Sequence, residues 1–146
     1  MPLADLYREV LMDHVQHPRN RGELPDATAR VGLSNPTCGD ELGLDLKVEG
    51  DRIVDARFNG HGCSISMSAA SMLTEAIRGR RIDEVRALSR SFRQLFTTDM
   101  PPGDSLGDLV SLAGVRQFPM RVKCATLAFN ALDEAVDAIR KQQEVS

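Results

Sequence analysis

The chain has 146 residues, 42% of them hydrophobic and 27% charged, with a formal net charge of −3. This composition is typical of a globular protein, and the negative charge with few aromatic residues argues against a nucleic-acid-binding surface. The sequence contains no apolar run long enough for a membrane span and no early run typical of a signal peptide. We therefore expect one domain over residues 1–146, located in the cytoplasm, with neither nucleic acid nor membrane as a partner.

Hydrophobic spacing predicts a helix first and then a hairpin. Apolar residues recur at helical spacing from Leu3 to about Val15, and this helix should end before Pro18. Apolar and polar residues alternate from Leu42 to Val48, which is typical of a half-buried strand. Ile53 to Phe58 follows as a second strand, so the two form an antiparallel hairpin, and residues 27–33 are a weaker strand candidate.

The second half of the chain is predicted to be mainly helical, with one long irregular excursion. The first predicted helix begins at a Ser64 or Ser66 cap and runs to about Arg78, and the next covers Ile82–Phe96. The irregular excursion covers Thr97–Gln117, with a short helix near Leu106–Leu112. Pro119 begins the last helix, and Arg140 and Lys141 end it. A sheet with one polar face needs cover on the other face, and helices must supply it.

Three cysteines, Cys38, Cys63 and Cys124, each occupy a setting that favours chemistry. Cys38 lies in a turn beside Gly39, Cys63 lies just ahead of a predicted helix, and Cys124 follows Lys123. A helix N-terminus and a neighbouring cation both favour the thiolate form. Because free cysteine is also among the most buried residue types, three core thiols are the alternative interpretation.

Asp40 stands two residues after Cys38, so that one metal could be shared by the sulfur and the carboxylate. Three thiolates and one carboxylate would form a four-coordinate site suited to zinc. The ligands are too far apart for a zinc ribbon, and the fold would have to assemble the site. A purely structural zinc site is a further alternative.

The basic residues near the cysteines have several candidate roles. Lys123 and Arg121 could offset the negative charge of the ligands, and His61, two residues before Cys63, could reach the same metal. His14 and His17 are expected at the surface or in contact with a partner.

Taken together, the motifs resemble the iron–sulfur cluster assembly proteins of the IscU/NifU N-terminal group. The match covers nearly the whole chain and rests on Tyr7, Asp13-His14, His17–Asn20, Asn35–Asp40, Gly60–Ser66 and Lys123–Ala125. IscU-type scaffolds carry a histidine immediately before the third cysteine, where this chain has Lys123, and their excursion is shorter. Both features are similar to the SufU branch, although His61 differs from the acidic residue expected there.

The resemblance implies a compact α+β fold with a three-stranded antiparallel sheet packed under helices. It also implies zinc held by Cys38, Asp40, Cys63 and Cys124, with Cys38 as the acceptor of persulfide sulfur. The implied donor is a PLP-dependent cysteine desulfurase of the SufS type, and the sulfur would pass to the downstream iron–sulfur assembly machinery. The alternative is a scaffold that assembles a [2Fe–2S] cluster on the same residues, against which Lys123 argues.

Overall fold

A computed structural model describes residues 3–35, 39–97 and 104–145 of the chain. Its elements in chain order are α1 (Leu3–Gln16), β1 (Ala29–Asn35), β2 (Asp40–Glu49), β3 (Arg52–His61), α2 (Ser64–Ile77), α3 (Ile82–Gln94), a 3₁₀ segment (Asp104–Val115) and α4 (Pro119–Val145). The predicted α+β class is confirmed, and so is the hairpin of β2 and β3.

The three described strands form one antiparallel sheet in the order β1-β2-β3. Leu44, in the central strand, pairs with Val31 on one side and Phe58 on the other. Leu44 and Phe58 are buried on the inner face, whereas Glu41 and Lys47 of β2 lie on the outer face. α4 packs against β1 and β2, and α2 packs against β3, so the helices cover the inner face as expected.

Small side chains of α2 contribute to the core. α2 is buried over most of its length and carries Ala69 and Ala70 at the core, and it packs against α4. On α4, Phe129 stacks on Phe92 of α3 with ring centroids 4.0 Å apart and an interplanar angle of 9°. Aromatic contacts of this kind add to the free energy gained by burying the rings.

Several predicted boundaries were wrong by a few residues. Cys63, rather than Ser64 or Ser66, caps α2, because its extended backbone lets the sulfur accept from the backbone N–H of Ser66. The 3₁₀ segment is longer than the predicted short helix and includes a kink at Gly107, whose φ is 54°. α3 ends at Gln94, and α4 continues beyond Arg140 and Lys141 to Val145. Residues 98–103 of the excursion lie outside the described ranges.

α4 is the longest of the described helices, with 27 residues. Charged residues are spread along it, and none of the helices in the described ranges is both long enough and apolar enough to cross a membrane. One domain over residues 1–146 stays a prediction.

Candidate metal centre

The fold brings Asp40, Cys63 and Cys124 together. One carboxylate oxygen of Asp40 and the sulfurs of the two cysteines all lie within 4.8 Å of one another. Asp40 begins β2, Cys63 caps α2, and Cys124 lies in the second turn of α4. Cys38, the fourth predicted ligand, lies outside the described residues. The fold therefore brings together the three predicted ligands that the structure describes, and their role in binding a metal stays a prediction.

Sheet register and helix packing explain this convergence. Glu41 pairs with His61, so the start of β2 lies beside the end of β3, two residues before Cys63. Cys124 reaches the same point because α4 packs against α2. Cys124 is only 3% exposed, and its sulfur lies 3.6 Å from the backbone oxygen of Met120.

The Asp40 carboxylate is buried and uses its two oxygens differently. It is 1% exposed, and Oδ1 accepts a hydrogen bond from the backbone N–H of Cys63 at 2.8 Å. Oδ2 lies 4.0 Å from the Cys63 sulfur. Within the described part of the chain, no salt bridge joins Asp40 to a cationic side chain. Because a buried carboxylate needs a positive partner, Oδ2 is well suited to bind a metal ion.

The Cys63 sulfur lies at the N-terminus of α2 and is half-buried. It accepts from the backbone N–H of Ser66 at 3.4 Å and lies 3.6 Å from the Ser66 hydroxyl oxygen. The backbone amides at the start of a helix stabilise negative charge. These contacts hold the Cys63 sulfur at a fixed position at the start of α2.

Two sulfurs and a carboxylate fit a zinc ion. With zinc–ligand bonds of about 2.0–2.3 Å, ligand atoms of a tetrahedral site lie about 3.5–3.8 Å apart. The 4.0 Å between Asp40 Oδ2 and the Cys63 sulfur is close to this separation, so zinc requires only small side-chain shifts there. Three donors leave a fourth tetrahedral position for Cys38 or another ligand.

The basic residues considered for the site, His61, Arg121 and Lys123, are all exposed. His61 is 73% exposed, and its Nε2 lies 3.2 Å from Glu41 Oε2 on the outer side of the sheet. The guanidinium of Arg121 lies 5.9 Å from the ring centroid of Phe118. Lys123 is exposed on α4. His61 is therefore paired with a carboxylate of the outer face, and Asp40, Cys63 and Cys124 converge without it.

His14 was expected at the surface, and this expectation was wrong, because the residue is only 1% exposed. Its Nδ1 lies 2.7 Å from the Ser71 hydroxyl, and its Nε2 lies 3.1 Å from Asp108 Oδ2. The sequence contained one usable signal: His14 follows the buried Leu11 by three residues and so shares its helix face.

A second cluster of possible ligands comprises His14, Glu75 and Asp108. It suits a metal less well, since both ring nitrogens of His14 already have hydrogen-bond partners. In addition, Arg19 Nε lies 3.6 Å from Glu75 Oε2 and provides that carboxylate with positive charge. We interpret this cluster as a structural polar network.

Comparison with known proteins identifies the family of this chain. A model of the NifU-like N-terminal domain matches residues 6–145. The chain belongs to this family. The resemblance predicted from the cysteine motifs is confirmed, and the matched residues include all four predicted ligands.

Individual members of the NifU-like N-terminal family are similar over nearly their full lengths. The zinc-dependent sulfurtransferase SufU of Bacillus subtilis is 46% identical over 135 residues, which cover 92% of this chain and 91% of that protein. The iron–sulfur cluster assembly scaffold protein IscU of Streptococcus pyogenes is 41% identical over 145 residues, covering 99% and 91%.

Solved structures agree with the fold. A crystal structure from Fervidobacterium islandicum, of a protein described as a candidate iron–sulfur cluster assembly scaffold for the SUF system, superposes with a TM-score of 0.84. That protein is 30% identical, and the match covers 90% of this chain and 97% of that one. The three-stranded antiparallel sheet under helices is thus the fold of this family.

Proposed function

We propose that this protein is a zinc-dependent sulfurtransferase of iron–sulfur cluster assembly. In this proposal Cys38 accepts persulfide sulfur from a PLP-dependent cysteine desulfurase of the SufS type and passes it to the downstream assembly machinery. The convergence of two sulfurs and a buried carboxylate that lacks a cationic partner in the described ranges carries the proposal. The similarity to the SufU of Bacillus subtilis supports zinc as the metal.

We assign the zinc to Cys38, Asp40, Cys63 and Cys124. Bound zinc would supply positive charge that keeps the cysteines as thiolates without a separate base. Cys63 and Cys124 are anchored at the starts of two packed helices, and Asp40 is held by a backbone N–H. These three serve as fixed ligands, which leaves Cys38 as the ligand that exchanges when the desulfurase docks.

Sulfur transfer is then a thiolate–disulfide type exchange. The Cys38 thiolate attacks the outer sulfur of the desulfurase persulfide, and a new S–S bond forms on Cys38. The S–S bond of the donor persulfide breaks, and its electron pair stays on the donor cysteine as a thiolate. No oxidant or reductant is consumed. The reaction requires reduced thiols, which accords with a proposed cytoplasmic location.

The second candidate function is a scaffold that assembles a [2Fe–2S] cluster on the same residues. The similarity to a protein named as an IscU scaffold favours it. Lys123 weakens it, because a charged ammonium group has no lone pair for iron at the position where a histidine would bind. His61 does not fill this role, since its ring pairs with Glu41.

One experiment separates the candidates. We would measure the bound metal of the purified protein and the turnover of a SufS-type desulfurase with the wild type, with Cys38→Ala and with Ser34→Ala as an exposed control on β1. The proposal predicts bound zinc and a stimulation that Cys38→Ala abolishes and Ser34→Ala retains. Stimulation that persists in Cys38→Ala excludes the acceptor role. An anaerobically formed cluster that moves intact to an apo-protein establishes the scaffold, and zinc without any effect on the desulfurase leaves only a structural site.

A further inference from the structure

Gly62 lies directly against the side chains of Asp40 and Ser66. A β-carbon built on Gly62 would lie 2.5 Å from Asp40 Oδ1, 2.7 Å from Ser66 Oγ and 3.0 Å from Asp40 Cγ. Non-bonded carbon and oxygen atoms do not approach to 2.5 Å, so one group would have to move. Gly62 does not have a positive φ. A larger side chain at position 62 is therefore excluded by lack of space and not by the backbone conformation.

We propose that Gly62 is a positioning residue of the metal site, whose missing side chain keeps Asp40 as a ligand that binds through one oxygen. The inference rests on the proposed zinc site and adds a residue that does not itself touch the metal. Because Oδ1 stays bound to the Cys63 N–H at 2.8 Å, only Oδ2 faces the sulfur of Cys63. The empty space at Gly62 allows the carboxylate to approach that N–H.

The surroundings leave the carboxylate little room to adjust. Ser66 is fully buried, and its hydroxyl donates to the Cys63 carbonyl at 3.0 Å, so this side of the space is fixed by α2. Asp40 is itself 1% exposed and begins a strand that is paired on both sides. A methyl group at position 62 would push Oδ1 away from the Cys63 N–H. Oδ2 would then move relative to both sulfurs.

The test compares Gly62→Ala with Gly32→Ala. Gly32 also lies beside β2, lacks a positive φ and has no atom within 4 Å of a built β-carbon, so it controls for the loss of glycine itself. Zinc affinity would be measured by competition with a chromophoric chelator, and the ligand field by the visible spectrum of the Co²⁺-substituted protein. We expect Gly62→Ala to weaken zinc binding about 10–100-fold, as for loss of an outer-shell partner, and Gly32→Ala about twofold or less.

Asp40→Ala completes the experiment as a double-mutant cycle. If Gly62 acts through the carboxylate, adding Gly62→Ala to Asp40→Ala should weaken zinc binding by no more than about twofold. A β-carbon at position 62 would also meet the Ser66 hydroxyl, so the folding control carries Ser66→Ala throughout. Should Gly62→Ala fail to fold in that background, recovery of the metal-free fold on addition of Asp40→Ala would show that the steric conflict is with the carboxylate. Continued misfolding there overturns the inference.

Two further outcomes count against the inference. It is wrong if Gly62→Ala binds zinc as Gly32→Ala does, or if the loss is equally large without the Asp40 carboxylate. A wild-type protein that binds no zinc would instead overturn the proposed function, and this inference with it.

Discussion

Nδ1 of His14 lies 2.7 Å from the hydroxyl oxygen of Ser71, and this contact joins α1 to α2. The same hydroxyl accepts from the backbone N–H of Arg19 at 2.8 Å, so its own proton is available to Nδ1. Nε2 lies 3.1 Å from Oδ2 of Asp108, in the 3₁₀ segment. Three elements thus meet at one buried imidazole.

Replacing His14 with alanine should therefore destabilise the protein. The change removes two hydrogen bonds and leaves the buried Ser71 hydroxyl without its imidazole acceptor, at a cost of about 2–4 kcal/mol in the free energy of unfolding. Chemical denaturation of the metal-free protein measures this directly. His17→Ala is the control, because the His17 side chain is 75% exposed and the residue directly follows α1. Equal stabilities of the two variants would contradict a structural role for His14.

Asp13 should respond to pH through its ion pair with Arg19. The Arg19 guanidinium donates to Asp13 Oδ2 at 2.6 Å and lowers the pKa of this carboxyl below its ordinary value of 3.8. Because the folded-state pKa is depressed, the stabilisation is present above about pH 4 and is lost as the pH falls through the folded pKa. The pair is exposed, so the effect on stability should be small and screened by salt.

An NMR titration of the carboxyl groups tests this pair. Arg19→Ala should raise the pKa of Asp13 towards 3.8, since the hydrogen bond from Arg19 is the largest cause of the shift. Lys47→Ala is the matched control: Lys47 lowers the pKa of Asp26 in the same way, at a distance from Asp13 in the sequence. An Asp13 pKa that stays low in Arg19→Ala would contradict the assignment.

The secondary structure was predictable because its signals are local. Alternation from Leu42 to Val48 indicated a half-buried strand, and the spacing from Leu3 to Val15 indicated an amphipathic helix. The role of Cys38, Asp40, Cys63 and Cys124 as metal ligands stays a prediction, but these residues were accessible as candidates because the chain has only three cysteines and Asp40 stands two residues after one of them. Their convergence was not, since it depends on the β2–β3 register and on how α4 crosses α2.

The contacts that surround the ligands could not be predicted from spacing. Ser64 and Ser66 were both reasonable caps for α2, yet the backbone angles at Cys63 make its sulfur the cap. His14 resembled a polar helix-end residue because its partners, Ser71 and Asp108, are 57 and 94 residues away in sequence. Long-range polar pairs of this kind leave no periodic signal in the sequence.

Removing the metal should destabilise the protein if zinc binds only the folded state. With free zinc at about 1,000 times its dissociation constant, a chelator should lower the free energy of unfolding by about 4 kcal/mol. If Cys124 binds the zinc as proposed, Cys124→Ser should remove most of this difference, because a neutral hydroxyl would replace a thiolate ligand. Thermal unfolding with and without chelator measures both quantities. A chelator effect that is as large in Cys124→Ser as in the wild type would exclude Cys124 as a ligand.

Gly60→Ala should damage both the sheet and the metal site. Gly60 has a φ of 114° and pairs with Leu42, and a β-carbon there would lie 2.1 Å from the Glu41 carbonyl oxygen. Because the Glu41 carbonyl belongs to the backbone of β2, β3 would have to separate from β2. This separation would occur next to Asp40, which begins β2, and Cys63, which follows β3. We expect a loss of about 3 kcal/mol or more in the free energy of unfolding, with weaker zinc binding.

Gly22→Ala separates backbone strain from this collision. Gly22 also has a positive φ, 142°, but no atom lies within 4 Å of a β-carbon built there. Gly22→Ala should therefore lower the free energy of unfolding only by the backbone strain, about 1–2 kcal/mol, and leave zinc affinity nearly unchanged. Denaturation curves and zinc competition on both variants provide the comparison. Equal losses of stability and of zinc affinity in Gly60→Ala and Gly22→Ala would contradict this prediction. Backbone strain alone would then explain both losses, and the close approach of Gly60 to Glu41 would have no separate effect on zinc binding.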